Sequence, residues 1–298
     1  MPAASILEIK TRVFASLPGN LRITDVESTA AAILGRPFDS FLEGLSFNQK
    51  GDLFCVDVSF GRIFRVDSAG EFAVLAKYDG KPSGLDVHPD GRLLITDRLK
   101  GLLSCDAATG ELQPALSSSA SSAFQRLSDI AIVPDGDIYV TDPGDSDLLN
   151  PCGRVFRIRG DQKPELLLDG IAHPNGIAVD RQARRVYVAA MRANDIVCAD
   201  LQPGFGATRV RNFVRLSGGL GPDGLALDPD GRLAVAHFQF GCVWLYDSKG
   251  EPVGRIRLER GSLPTSVTFG GPDHHVLYVA EAGTGTIQIA ELPLEVFS

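Results

Sequence analysis

Six side chains, each opening a similar stretch of sequence, carry the oxygen atoms from which a reaction centre could be built: Glu43, Ser83, Ser128, Asn175, Asp223 and Thr265. Two carboxylates and an amide gathered from separate stretches are costly to enclose unless they are paired or neutralised. A hard divalent cation, taking about six to eight oxygen ligands with water completing the shell, would neutralise them. The set contains no His or Cys. That disfavours a thiolate or imidazole zinc site, although zinc accepts carboxylates. A plainer alternative is that these residues cap strand ends and hydrate a channel. For Ser83 and Thr265 that is the expected role, because hydroxyls commonly bond nearby backbone. Glu43, Asn175 and Asp223 are the expected cation ligands, and a cation there would polarise a carbonyl and stabilise the oxyanion formed when water attacks.

For these residues to meet, six distant places must converge, and an internal repeat provides for it. The segments LEGLSFNQKGDLFCVDV, PSGLDVHPDGRLLITDR, LSDIAIVPDGDIYVTDP, PNGIAVDRQARRVYVAA, PDGLALDPDGRLAVAHF and PTSVTFGGPDHHVLYVA begin at Leu42, Pro82, Leu127, Pro174, Pro222 and Pro264. In each, a polar anchor precedes a mainly apolar run, a turn rich in Asp, Pro or Gly, and an apolar return run. The anchors are spaced 40, 45, 47, 48 and 42 residues apart, the period of a four-stranded propeller blade. Third strands such as GRIFRVD and GCVWLYD follow the hairpins, and fourth strands such as EFAVLAK and VGRIRLE follow those. The last repeat lacks a fourth strand, and Thr11–Leu17 (TRVFASL) is a spare one. The expectation is an all-β, six-bladed β-propeller of four-stranded antiparallel blades, closed by the N-terminal segment and forming one domain over residues 1–298. Closure removes exposed sheet edges, which favours it over a solenoid of similar period. Only the stretch from Val26 to Leu34 suggests a helix.

In a propeller the opening strands line the central channel, so the anchors should ring one mouth. The second strands return to that mouth and end at Asp57, Asp97, Asp142, Ala190, His237 and Glu281. The carboxylates in this outer ring are expected to cap turns. His237 differs in type from its equivalents and is either a proton carrier near neutral pH or a hydrogen-bonded strand end. Arg98 and Met191 follow the same ring and are expected to shape a pocket. His88, His274 and His275 fall at the opposite end. The loop Pro143–Gly153 is expected to overhang the pocket. There is no GxSxG, HExxH or P-loop sequence, and no Rossmann glycine pattern between a strand and a helix, which argues against serine-hydrolase and nucleotide chemistry.

A net charge of −8 gives no basic footprint for nucleic acid. No apolar stretch reaches membrane-spanning length, and no signal peptide is visible. The five cysteines are scattered without CxxC or metal spacing. Read as buried reduced thiols, they suggest a reducing, cytoplasmic setting.

The stretches LEGLSF, HPNGIAVD, GPDGLALDPDGRLAVA and LPTSVTFGGPDHHVLYVA, in register over about Glu43 to Ala282, resemble the gluconolactonase/regucalcin (senescence-marker) family of six-bladed propellers. The resemblance implies one divalent cation on Glu43, Asn175 and Asp223, usually calcium, with zinc, magnesium or manganese also serving. It implies that Asp223 is ligand and general base, or in some members a nucleophile, and that Arg126 faces the substrate. Where the family has Asn within RxND, this chain has Ser128 in RLSD. A lactone suits such a site, because ring opening keeps the alkoxide attached for reprotonation. The expected activity is therefore metal-dependent lactone hydrolysis, a carboxylic-ester hydrolase reaction on a sugar or related small lactone. Arg126, Ser128, His237, Arg98 and Met191 would surround that substrate. Ester or organophosphate hydrolysis at the same metal is the alternative within enzymes. A non-catalytic propeller binding a ligand or protein is the alternative outside them.

Overall fold

The turn residues decide where each strand reverses. In the fifth repeat, Asp228 accepts the backbone N–H groups of Asp230 at 2.9 Å and Arg232 at 2.8 Å. Gly231 takes φ +81°, a left-handed conformation that side chains resist. The strands on either side, Gly221–Leu227 and Leu233–Phe238, then pair antiparallel. The computed structural model describes residues 6–23, 38–160, 163–180, 182, 184–202 and 206–293. Each repeat builds one antiparallel sheet, and the six together make a six-bladed β-propeller. The opening strand of each blade lies at its sheet's edge and touches the opening strands of both neighbours, so these strands form the inner ring.

Apolar layers between blades hold the ring. Phe54, Val56 and Ile63 of blade one pack on Leu85, Leu93 and Ile95 of blade two. Ala234 and Val243 of blade five pack on Val267, Leu277 and Val279 of blade six. At about 1.5–3 kcal/mol for each buried Val, Leu, Ile or Phe side chain, these layers outweigh anything the polar channel contributes.

The ring closes as the strand count requires. Arg12–Ser16 pairs antiparallel with Thr286–Glu291 and completes blade six. Thr11 Oγ1 donates to the buried Gln288 Oε1 at 2.6 Å, and the Leu17 N–H bonds Gly285 O at 2.9 Å. One addition goes beyond four-stranded blades: Leu7–Lys10 lies parallel to Pro252–Arg257, giving blade five a fifth strand. Glu8 fixes it through Arg255 and Arg257. The stretch Val26–Leu34 lies outside the described residues. A single turn of α-helix at Ser118–Ser121 was not expected. Cys55, Cys105, Cys198 and Cys242 are buried, whereas Cys152 is exposed in its loop, contrary to a uniformly buried set. No described helix is long and apolar enough to cross a membrane.

Candidate functional site

The anchors stand where the inner strands depart from their ladders. Pairing between first and second strands shifts at Glu43/Ser46, Pro82/Leu85, Pro174/Ile177, Pro222/Leu225 and Pro264/Ser266. Such bulges re-aim side chains, here towards the channel. Glycine follows the anchor in four blades, as Gly44, Gly84, Gly176 and Gly224. A Cβ on Gly176 would strike the Asp223 carbonyl oxygen, and one on Gly224 would lie 2.5 Å from that of Thr265. The inner strands therefore approach more closely than side chains would allow. In the other two blades the following residue bridges the strands instead. Asp129 Oδ2 accepts the Ile177 N–H at 3.1 Å, and Ser266 Oγ accepts the Leu45 N–H at 2.9 Å.

All six anchors meet at one throat, lined by Glu43, Ser83, Ser128, Asn175, Asp223 and Thr265 together with Asp129. Ser83 Oγ donates to Glu43 Oε2 at 2.8 Å. Ser128 Oγ donates to Asn175 Oδ1 at 2.8 Å, and Asn175 Nδ2 donates to Asp223 Oδ1 at 2.6 Å. Thr265 Oγ1 turns away to Leu42 O at 2.6 Å, a backbone bond that bridges blade six to blade one rather than a local one. Ser83 spends its hydroxyl on Glu43 instead. Above the throat opens a cavity of about 150 Å³ that shares Glu43, Asn175 and Asp223 with it. Phe41, Val58, Met191, Leu220 and Phe238 form its apolar wall, and Lys81, Arg98, His173 and Arg192 its polar one.

Enclosure dominates the electrostatics. Burial pushes the Glu43 carboxyl up, with Arg98 and the Ser83 hydroxyl pulling the other way. Asp223 is raised well above the carboxylate range by burial and by the charges of Glu43 and Asp129. Asp129 is pushed up to about 7, mainly by burial. Among the described residues no group of three or more His, Cys, Asp and Glu placed to hold a metal assembles; the throat's candidate oxygen donors are the Glu43 and Asp223 carboxylates and the Asn175 amide. With chelator present, these groups make stability fall as pH rises. Below about pH 4 both folded and unfolded chains hold the protons; between about 4 and 7 the folded chain holds more, so its advantage shrinks. The melting temperature in chelator is expected to drop between about pH 5 and 8, and excess divalent cation to reverse most of that drop. Carboxylates whose pKa is lowered, such as Asp52 and Asp90, act below this window. A melting temperature flat across it with chelator would contradict the assignment.

Comparison with known proteins agrees with the geometry. Residues 42–283 match the SMP-30/Gluconolactonase/LRE-like region. The chain belongs to this family. A lactonase, drp35, from Staphylococcus epidermidis is 30% identical over 230 residues, covering 72% of this chain and 69% of the relative. Pentonolactonase XacC from Haloferax volcanii is 30% identical over 235 residues, covering 78% and 77%. Among solved structures, a gluconolactonase from Xanthomonas campestris superposes with a TM-score of 0.75 at 19% identity, over 98% of this chain and 99% of that one. The calcium-binding protein regucalcin from Agrobacterium tumefaciens gives 0.76 at 20%, over 98% of each. At such identities these two speak for the fold alone.

Several residues of this SMP-30-family chain sit differently from expectation. Arg98 and Met191 line the cavity, but Arg126 is half exposed and pairs with Asp145 at 2.9 Å. His237 is not among the lining residues. Trp244 Nε1–H donates to its Nδ1 at 3.2 Å, so Nε2 carries the proton and donates to Gly218 O at 2.9 Å, while Phe240 stacks on the ring at 4.5 Å. Both nitrogens are used, which makes it a strut. Asp57, Asp97, Asp142 and Glu281 each accept backbone N–H groups at the mouth, as turn caps should. The loop Pro143–Gly153 contributes no lining residue but grips one. Ser146 Oγ accepts the His173 N–H at 3.2 Å, and Ser146 O lies 3.3 Å from His173 Nδ1.

Three charged or titratable lining residues were not singled out from the sequence: Lys81, His173 and Arg192. Burial, reinforced by the charges of Arg98 and Arg192, lowers His173 to about 4, so it is neutral near pH 7. Asp129 was also missed. It occupies a place that is glycine in four of the six repeats, and a carboxylate in a glycine column was the available signal.

Proposed function

We propose that the chain is a divalent-cation-dependent lactone hydrolase acting on a sugar or related small lactone at the throat of the channel. The observation that carries this reading is the meeting of Glu43, Asn175 and Asp223 beneath a cavity of small-molecule size. The donor set fits a hard cation such as calcium, since it is all oxygen and includes two enclosed carboxylates without an ion-pair partner among the described residues. Bound there, the ion would polarise the lactone carbonyl and stabilise the charge that develops on its oxygen.

The protein's own groups supply the rest. Among the described residues the Asp223 carboxylate accepts a hydrogen bond only on Oδ1, which leaves Oδ2 to take a proton from water. The water oxygen bonds to the carbonyl carbon, the ring C–O bond breaks, and the alkoxide takes the proton to become a hydroxyl. Ser128 and Ser83 orient Asn175 and Glu43. The apolar wall limits water around the ring. Membership in a family with curated lactonases supports the reaction class.

The test is a pH-indicator assay over a panel of aldonolactones, simple esters and a phosphotriester, with and without chelator. Lactone turnover that chelator abolishes and a divalent ion restores is expected. Glu43→Gln, which removes one of two ligand charges, should raise the ion concentration needed for half-activity by about tenfold or more. Turnover indifferent to chelator, or preference for the phosphotriester, would overturn the reading.

A further inference from the structure

The cavity wall is strongly cationic for a chain of net charge −8. Lys81, Arg98 and Arg192 all line it, and Lys81 Nζ is held by Ser59 O at 2.9 Å. Elsewhere in the propeller, arginines near the ends of the strands are paired: Arg62 with Asp57, Arg154 with Asp142, Arg215 with Asp195 and Arg232 with Asp228. Arg98 and Arg192 differ. Neither has an ion pair among the described residues. The Arg98 Nε is buried without a hydrogen-bond partner, as are those of Arg154, Arg157 and Arg185, but these three are ion-paired and Arg98 is not. A partly enclosed guanidinium left in that state is unusual, because buried polar groups nearly always find partners. The nearby negative charges are Glu43 and Asp223 on the floor, which Arg98 influences from a distance without pairing.

We infer that the preferred lactone carries an anionic group, carboxylate or phosphate, which Arg98 and Arg192 receive while the lactone carbonyl sits over Asp223. This rests on the lactonase reading above and adds the substrate's charge to it. A planar guanidinium matches either anion through two parallel hydrogen bonds, whereas a neutral sugar hydroxyl would leave the fork half used. Lys81 adds a positive field at the mouth that draws an anion in, an effect salt should weaken.

The experiment compares kcat/KM for D-glucono-1,5-lactone (neutral), D-glucaro-1,4-lactone (carboxylate) and 6-phospho-D-glucono-1,5-lactone (phosphate), each at low and moderate salt. At least one anionic lactone should exceed the neutral one by about tenfold or more, with the advantage shrinking as salt rises. Whichever anion leads identifies its source. Arg192→Gln should cut the anionic-to-neutral ratio by about ten- to a hundredfold, the loss of charge-assisted hydrogen bonds, with an unchanged melting curve as the folding control. Neutral and anionic lactones turned over alike, with a ratio indifferent to Arg192→Gln, would overturn the inference but leave the lactonase reading intact. If no lactone is turned over, that reading fails, and calorimetry with D-glucarate against D-gluconate decides this one separately. Tighter binding of the dianion, lost in Arg192→Gln, supports it, and equal binding overturns it.

Discussion

Asp223→Asn is expected to lower kcat for lactone hydrolysis by about 10²–10⁴-fold with divalent cation in excess, the range for losing a general base. The substitution is conservative in shape. An Asn oxygen can still accept from Asn175 Nδ2, which now reaches Asp223 Oδ1 at 2.6 Å. It also removes a charge that burial and the neighbouring carboxylates disfavour, so the variant's melting temperature in chelator should equal or exceed the parent's near pH 8. A large loss of rate in a protein at least as stable cannot be put down to misfolding. Weaker ion binding will add to the loss at limiting cation, which is why the assay must be a full cation titration. Activity restored to the parent level at saturation would mean that Asp223 only holds the ion. Water activation would then pass to another group. His237 is poorly placed for it, with both ring nitrogens committed to Trp244 and Gly218. His173 lines the cavity and is neutral near pH 7, so it becomes the next residue to mutate.

Blade number, strand order and ring closure were legible because they follow from local rules that recur six times. A turn that needs Asp and Gly, apolar runs that bury a strand on both faces, and a strand missing at one end are all visible in the residue order. The anchors were legible for the same reason, since repetition aligns them. What the repeat could not reveal is which side chains a non-repeating neighbour would occupy. In its own repeat His237 reads as either a proton carrier or a hydrogen-bonded strand end, and Trp244 and Phe240, from the next strand and its connecting turn, hold it as the second. Arg126 reads as substrate-facing, and Asp145 of the adjoining loop takes it. Lys81 and Arg192 lie in linkers that no alignment of repeats emphasises, and only the ring geometry turns them towards the same space as Arg98. Leu7–Lys10 was missed because its partner is parallel and far away in sequence, so no hairpin pattern announces it.

Gly176→Ala, a change of one methyl group outside the proposed chemistry, is expected to cost both stability and activity. The backbone of Gly176 is not left-handed, so conformational strain does not enter; the effect is steric. The added Cβ would meet the Asp223 carbonyl oxygen and lie 2.8 Å from Leu225 N and 2.9 Å from Gly224 Cα, all backbone atoms that cannot rotate aside. Blades four and five must move apart, and overpacking of that kind costs about 1–3 kcal/mol. For a domain of this size each kcal/mol lowers the melting temperature by about 2–4 °C. The same displacement separates Asn175 from Asp223, whose side chains meet across this contact at 2.6 Å. A shift near 1 Å in positioned groups can cost about a hundredfold in rate. Gly19→Ala is the control, because a Cβ there meets nothing within 4 Å, and its melting curve and activity should match the parent's. A Gly176→Ala protein that melts and turns over like the parent would show that strand proximity does not set the distance between Asn175 and Asp223. If both fall while the control holds, the glycine after Asn175 is what lets side chains from blades four and five share one ion.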